Sequence, residues 1–151
     1  MSEMEAGDAD GIYRYVIAPF LDEYASLTFE NVCREYLRHL NRQDKLPFHF
    51  TSIGNWQDKE RELDIIAFGK NKKDLLLGEC KFRRNAPFGT ADMKAALEKY
   101  TGGNKPVWYF FSRSGFGRKV KEWAAGQSGE GLRINPVSLA EIVKGTVLCK
   151  D

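Results

Sequence analysis

Cysteine is scarce in this chain of 151 residues, with only Cys33, Cys80 and Cys149, an odd number without Cys-x-x-Cys spacing. Histidine is scarcer still, limited to His39 and His49. That supply excludes a disulfide framework and the usual structural zinc sites, which need paired cysteines or clustered Cys and His ligands. Neither histidine has a cysteine or carboxylate at ligand spacing, so both read as surface or packing residues. No run approaches the ~20 apolar residues that a bilayer crossing needs. The opening residues are acidic rather than basic and then apolar, so no secretory leader is expected and the chain reads as cytoplasmic. A large charge imbalance is lacking too: 23 Lys+Arg against 21 Asp+Glu leave a formal +2, too mild to identify a nucleic-acid partner from composition. What is there is an ordinary globular mixture, 42% apolar, 13% aromatic and 29% charged, at a length suited to one core.

The organisation follows from hydrophobic spacing. Residues 1–12 carry Glu3, Glu5, Asp8 and Asp10 with little to bury, and are expected to form a flexible acidic segment ahead of a single domain over 13–151. The aromatic stretch from Tyr13 to Tyr24 is short and interrupted by Pro19, and reads clearly as neither helix nor strand. From Thr28, a candidate N-cap, Phe29, Val32, Cys33, Tyr36, Leu37 and Leu40 recur at helical spacing, with Glu30 in the first turn. Strands are predicted over Phe48–Gly54, Glu62–Phe68 and Leu75–Phe82, the second with Leu63, Ile65 and Ala67 facing one way. A helix over Ala91–Tyr100 follows, then a strand over Pro106–Phe111, a helix over Gly117–Ala125, a strand over Leu132–Val137 and a helical turn over Leu139–Val143. Consecutive strands early and alternating elements late describe an α/β fold, a mixed central sheet flanked by helices in three layers. No internal repeat or low-complexity stretch is visible.

The chemistry concentrates between Arg61 and Arg84. A hairpin symmetric about Asn71-Lys72 sets Gly69 opposite Asp74 and Asp64 opposite Glu79, on one sheet face. Two ionised carboxylates at a cross-strand spacing of ~4.5–5.5 Å repel, and persist mainly with a cation or a shared proton between them. Lys81 follows on the same face, roughly 6–7 Å along the strand. These charges alternate with Ile66, Phe68, Leu75 and Leu77 on what is expected to be a packed face, where an unpartnered charge costs several kcal/mol. A metal-plus-lysine site accounts for that cost better than a solvated hairpin does. A one-residue bulge would turn Asp64 to the opposite face.

Lys70, Lys72, Lys73, Lys81, Arg83 and Arg84 also cluster here, a possible nucleic-acid patch or simply a solvated tip. Arg113, within Ser112-Arg113-Ser114-Gly115 and near Arg118 and Lys119, offers a possible phosphate-cradling turn, although loop solvation explains such a segment equally well. Trp56, Trp108, Tyr109, Phe110 and Phe111 include candidate base-stacking rings, but Pro106–Phe111 is so apolar that core packing is the expected use.

Leu63-Asp64, a fourteen-residue gap and Glu79-Cys80-Lys81, preceded by a helix bearing Glu30, resemble the signature of the PD-(D/E)XK nuclease superfamily. More narrowly, Tyr13-Arg-Tyr-Val, Phe29-Glu-Asn-Val-Cys-Arg-Glu-Tyr-Leu37, Ile53-Gly-Asn-Trp56 and Phe111-Ser-Arg-Ser-Gly-Phe116, together with the acidic motif, are similar to the C-terminal domain of archaeal-type DEXX-box ATPases. The resemblance implies a restriction-endonuclease-like core and Mg2+- or Mn2+-dependent cleavage of DNA. Asp64, Glu79 and the backbone carbonyl of Cys80 would be metal ligands, and Lys81 would orient or help deprotonate the attacking water. Glu30 would hold a metal-bound water or a second cation, with a first-turn acid complementing the helix dipole as the alternative. Leu63 stands where the superfamily motif has proline, a position that supplies backbone rather than a ligand. The chain also lacks a Gly-x-x-x-x-Gly-Lys-Ser/Thr loop, since Gly115-Phe-Gly-Arg-Lys119 does not have the spacing. The expectation is a domain serving an ATPase module on the same or a separate chain, either as a nuclease or as an inactive module that binds nucleic acid or protein.

Overall fold

The helix expected from Thr28 begins earlier, as α1 (Ala18–Arg42). Pro19 explains the difference: in a first turn the proline's missing N–H has no intrahelical partner to lose and its fixed φ suits the helix, so it starts the element rather than breaking it. Thr28 is therefore not an N-cap, and Glu30 lies in the helix body, out of reach of the N-terminal dipole. Phe29, Cys33 and Leu37 form the buried seam that the spacing predicts. The computed structural model describes residues 18–71, 73–83, 86–102, 105–127 and 133–148. The expectations for 1–12, for Tyr13-Arg-Tyr-Val, for Lys72 and Arg84, and for a strand start at Leu132 lie outside the described residues.

After α1 come β1 (Phe50–Gln57), β2 (Glu62–Gly69), β3 (Leu75–Lys81), α2 (Thr90–Glu98), β4 (Val107–Ser112), α3 (Arg118–Gln127), β5 (Arg133–Ser138) and α4 (Leu139–Leu148). The first strand sits a few residues later than expected, and the predicted final turn is a helix of 10 residues. The five strands form one mixed sheet in chain order. β1, β2 and β3 are antiparallel, as short turns allow, whereas β4 and β5 join parallel through α2 and α3. The chain is thus an α/β protein with a five-stranded mixed sheet and four helices among the described residues.

Two cores lie on opposite sheet faces. Phe29, Cys33 and Leu37 of α1 and Ile142 of α4 pack with Ile65, Ala67, Leu76, Tyr109 and Phe111. Met93 and Ala96 of α2 and Val120 and Ala124 of α3 pack with Leu75, Leu77, Trp108 and Phe110. The Val107–Phe111 aromatics are core residues, as their apolar context predicts. Leu63 departs from expectation, since it packs in the second core while Ile65 and Ala67 face the first. The cause is a register shift between Gly54↔Ile66 and Trp56↔Leu63, which inserts an extra β2 residue and flips the alternation there. Gly78, opposite Ile65, keeps the central strands close: a Cβ would lie 3.0 Å from Ile65 Cβ and 3.1 Å from the Tyr109 carbonyl oxygen. Among the described residues no helix is long and apolar enough to cross a membrane.

Candidate functional site

The β2–β3 ladder runs from Phe68↔Leu75 to Ile65↔Gly78, the register expected from symmetry about the turn. One step further Asp64 and Glu79 would face each other, but the pairing stops at Ile65, beside the β2 irregularity. The Asp64 side chain takes over where the ladder ends, its Oδ2 accepting the Cys80 backbone N–H at 2.8 Å. A strand residue directs its N–H and C=O to the same neighbour, so the Cys80 carbonyl also faces this open end. Arg34 of α1 donates to the Asp64 carbonyl oxygen at 2.9 Å and holds the bulged backbone.

Glu79 shares its face of β3 with Leu75 and Leu77 and is only 4% exposed. Its Oε1 accepts from Lys99 Nζ at 3.0 Å, and the same ammonium donates to the Glu62 carbonyl oxygen at 2.9 Å. Burial, then the Asp64 charge, push the Glu79 carboxyl up to about 7 against the pull of Lys99 and Lys81. Glu30 is half-buried on α1 and reaches the site from the other side of the sheet. Burial first and Asp64 second raise its carboxyl above the usual range, opposed by Arg34, and a hydrogen bond with the Asp64 carboxyl raises it further. The dipole alternative for Glu30 falls, because this acid answers to Asp64 rather than to a helix terminus.

Asp64 is therefore the hinge of the constellation, coupled to Glu30 on one side and to Glu79 on the other. Among the described residues no three His, Cys, Asp or Glu side chains converge as a ready metal cage. The donor set still fits an oxygen-preferring cation of the Mg2+ kind, which uses one or two carboxylates and keeps several waters. Asp64 with either neighbour, and the Cys80 carbonyl, are the groups that would hold it. Burial is the larger cause of the raised Glu30 and Glu79 carboxyls, and the Asp64 charge, the second cause in both, is the negative charge that such an ion would offset.

The basic run that is continuous in sequence is divided in space. Lys70 and Lys73 are exposed at the hairpin tip, where Asn71 Oδ1 accepts the Lys73 and Asp74 N–H groups at 3.1 and 3.2 Å. At ~3.3 Å per residue, five β2 residues put that tip roughly 17 Å from Asp64. Arg83 lies near the acidic end but forms a bidentate pair with Asp92, both contacts at 3.0 Å. Arg113 sits over the Phe82 ring at 4.5 Å, and its backbone N–H donates to the Lys81 carbonyl at 3.0 Å, beside the end of β3. The Ser114 hydroxyl donates to the Arg83 carbonyl, which fastens this turn to the chain leaving β3.

Two site residues escape sequence reasoning. Arg34 had a usable signal, its i+4 spacing from Glu30 on one helix face. Lys99 had none, since only the packing of α2 on the sheet brings it to Glu79.

Residues 1–99 match DUF234, a family described as "Archaea bacterial proteins of unknown function". A stretch of 62 residues is 40% identical to an uncharacterized protein of Methanocaldococcus jannaschii, covering 41% of this chain and 14% of that protein. The chain thus spans a small part of the curated relative's length. No solved structure matches it. The matched residues include α1, β1, β2, β3 and α2, and with them Glu30, Asp64, Glu79, Lys81 and Lys99, so the acidic site lies within the portion by which this chain belongs to the DUF234 family.

Proposed function

We propose that this chain is a divalent-metal-dependent DNA phosphodiesterase domain of the PD-(D/E)XK type, with a restriction-endonuclease-like core. The observation that carries it is the position of Asp64 at the open end of the β2–β3 ladder, on the Cys80 N–H and close enough to both Glu79 and Glu30 for its charge to act on each, with Lys81 on the same strand as Glu79. Bound Mg2+ or Mn2+ would supply the positive charge that polarises a scissile phosphate and stabilises its transition state. Asp64 and Glu79 would bind the ion, and Cys80 would offer its carbonyl. Lys81 sits roughly 6–7 Å along β3 from Glu79, where it orients the attacking water and assists loss of its proton. Glu30 would hold a metal-bound water or a second cation from the α1 side. Burial of Glu79 keeps bulk water from competing for its carboxylate.

A second reading, a noncatalytic module that serves an ATPase on the same or another chain, has one observation in its favour: Lys99 already neutralises Glu79. Purified chain incubated with supercoiled, linear and branched DNA in Mg2+ or Mn2+ separates the two. A nuclease cleaves at least one substrate, loses that activity in chelator, and loses it in Asp64→Asn and Lys81→Ala. Absence of cleavage throughout, or cleavage that survives both substitutions, contradicts it.

A further inference from the structure

Beside the carboxylates lies a cavity of about 360 Å3 that the chemistry above does not use. Its floor is apolar sheet surface that includes Leu63 and Leu77, and its walls include Trp56, Phe68 and Tyr100. Phe68 is 39% exposed. Among the described residues, the charged ones lining it, Arg61 and Lys99, are both cations. Arg61 stacks over Trp56 at 5.4 Å and is held by both Asp58 and the Lys99 carbonyl. It therefore stiffens the aromatic wall. Lys99 is the shared element, lining the cavity while its ammonium binds Glu79 at 3.0 Å.

The Tyr100 wall is set by its own chain. A Cβ at Gly102 would fall inside the Tyr100 phenol, so glycine at this position lets the ring fold back over the backbone. Flat aromatic walls, an apolar floor and a cation leading to the carboxylates match one ligand chemistry, a planar heterocycle joined to a phosphate. Inside a duplex the base is stacked and cannot enter such a pocket, so the ligand is a nucleotide of a single strand or one unstacked from its helix.

We propose that the Trp56–Tyr100 cavity is a nucleobase subsite for single-stranded DNA, seating a base beside the phosphate that Asp64 and Glu79 address. The proposal rests on the nuclease reading and specifies its substrate. Base stacking acts only when a base is present, whereas phosphate attraction does not need one. The test therefore compares two oligomers of equal charge, octathymidylate and an abasic octamer of the same backbone, titrated against the full chain in chelator at fixed salt.

Octathymidylate is expected to bind about tenfold more tightly than the abasic octamer. Trp56→Ala brings it down to the abasic level. Gly102→Ala, which displaces the Tyr100 ring without touching the floor, does the same and serves if the tryptophan variant fails to fold. Equal affinity for both oligomers in wild type, or a preference that survives in the folded variants, overturns the proposal. So does a concentration-dependent dimer that Trp56→Ala abolishes without any base preference, since the cavity would then face a second copy. Cleavage measured in parallel with Mn2+ separates the two failures: a base preference without cleavage contradicts only the nuclease, and cleavage without a preference contradicts only the pocket.

Discussion

Replacing Glu79 by glutamine should make the metal-free protein more stable at alkaline pH, although it removes one partner of a buried ion pair. Glu79 is 4% exposed, and its carboxyl is carried from an ordinary 4.5 to about 7 by burial and by Asp64. A carboxyl raised on folding favours the folded state while protonated. That contribution is complete below about pH 4.5 and is lost as pH rises to about 7. Above pH 7 the ionised group opposes folding by about 3 kcal/mol relative to its protonated form. Glutamine keeps the shape and an oxygen able to accept from Lys99, but brings no charge near Asp64. We expect Glu79→Gln to gain about 1–3 kcal/mol at pH 8 in chelator, a rise of roughly 3–10 °C in Tm for a domain of this size. The gap should close at pH 5, where wild-type Glu79 is protonated. Added Mn2+ should raise the wild-type Tm by mass action and leave the variant unmoved. Thermal melts at both pH values, with and without Mn2+, provide the assay. A variant less stable than wild type at pH 8, or an equal difference at pH 5 and pH 8, refutes the electrostatic reasoning.

Asp92, held below the usual carboxylate range by Arg83 and then by the Gly89 N–H at the start of α2, contributes stability at neutral pH that is lost as pH falls through its lowered pKa. Urea melts of Asp92→Asn should show a loss of about 1–2 kcal/mol at pH 7 that shrinks toward pH 3. Asn41 is buried and joins α1 to β1 through two bonds to the Phe50 backbone, at 3.0 and 3.1 Å, so Asn41→Ala should cost about 2–3 kcal/mol in the same assay. Cys33 is fully buried, and the free Cys80 thiol is pushed up by its hydrogen bond with Cys33 and by burial, so in a Cys149→Ser background neither should react with a disulfide reagent at pH 8 until the protein unfolds.

The hairpin register was readable because a short turn fixes it by symmetry, and the helical seam of α1 because Phe29, Cys33 and Leu37 repeat at helical spacing. The start of α1 was not, since Pro19 serves as a helix breaker or a helix starter depending on its place in the turn. The face of Leu63 was hidden by an insertion that exists only relative to β1, and β1 lies outside any local window. The same limit hid half of the electrostatics. Asp64, Glu79 and Lys81 lie on adjacent strands of one hairpin, whereas Lys99 reaches Glu79 only after α2 folds onto the sheet. Arg83 shows the converse: its place in a basic run suggested a surface charge, and its bidentate partner Asp92 lies in the next helix.

The central claim is that Asp64 and Glu79 form a divalent-cation site. Electron paramagnetic resonance of Mn2+ titrated into the full chain, with a single-stranded phosphorothioate oligonucleotide present to supply phosphate ligands, tests it most directly. We predict bound Mn2+ in wild type and its loss in both Asp64→Asn and Glu79→Gln, with retention in Asp92→Asn. A wild-type protein that binds no Mn2+, or binding that persists in both variants, would contradict the assignment.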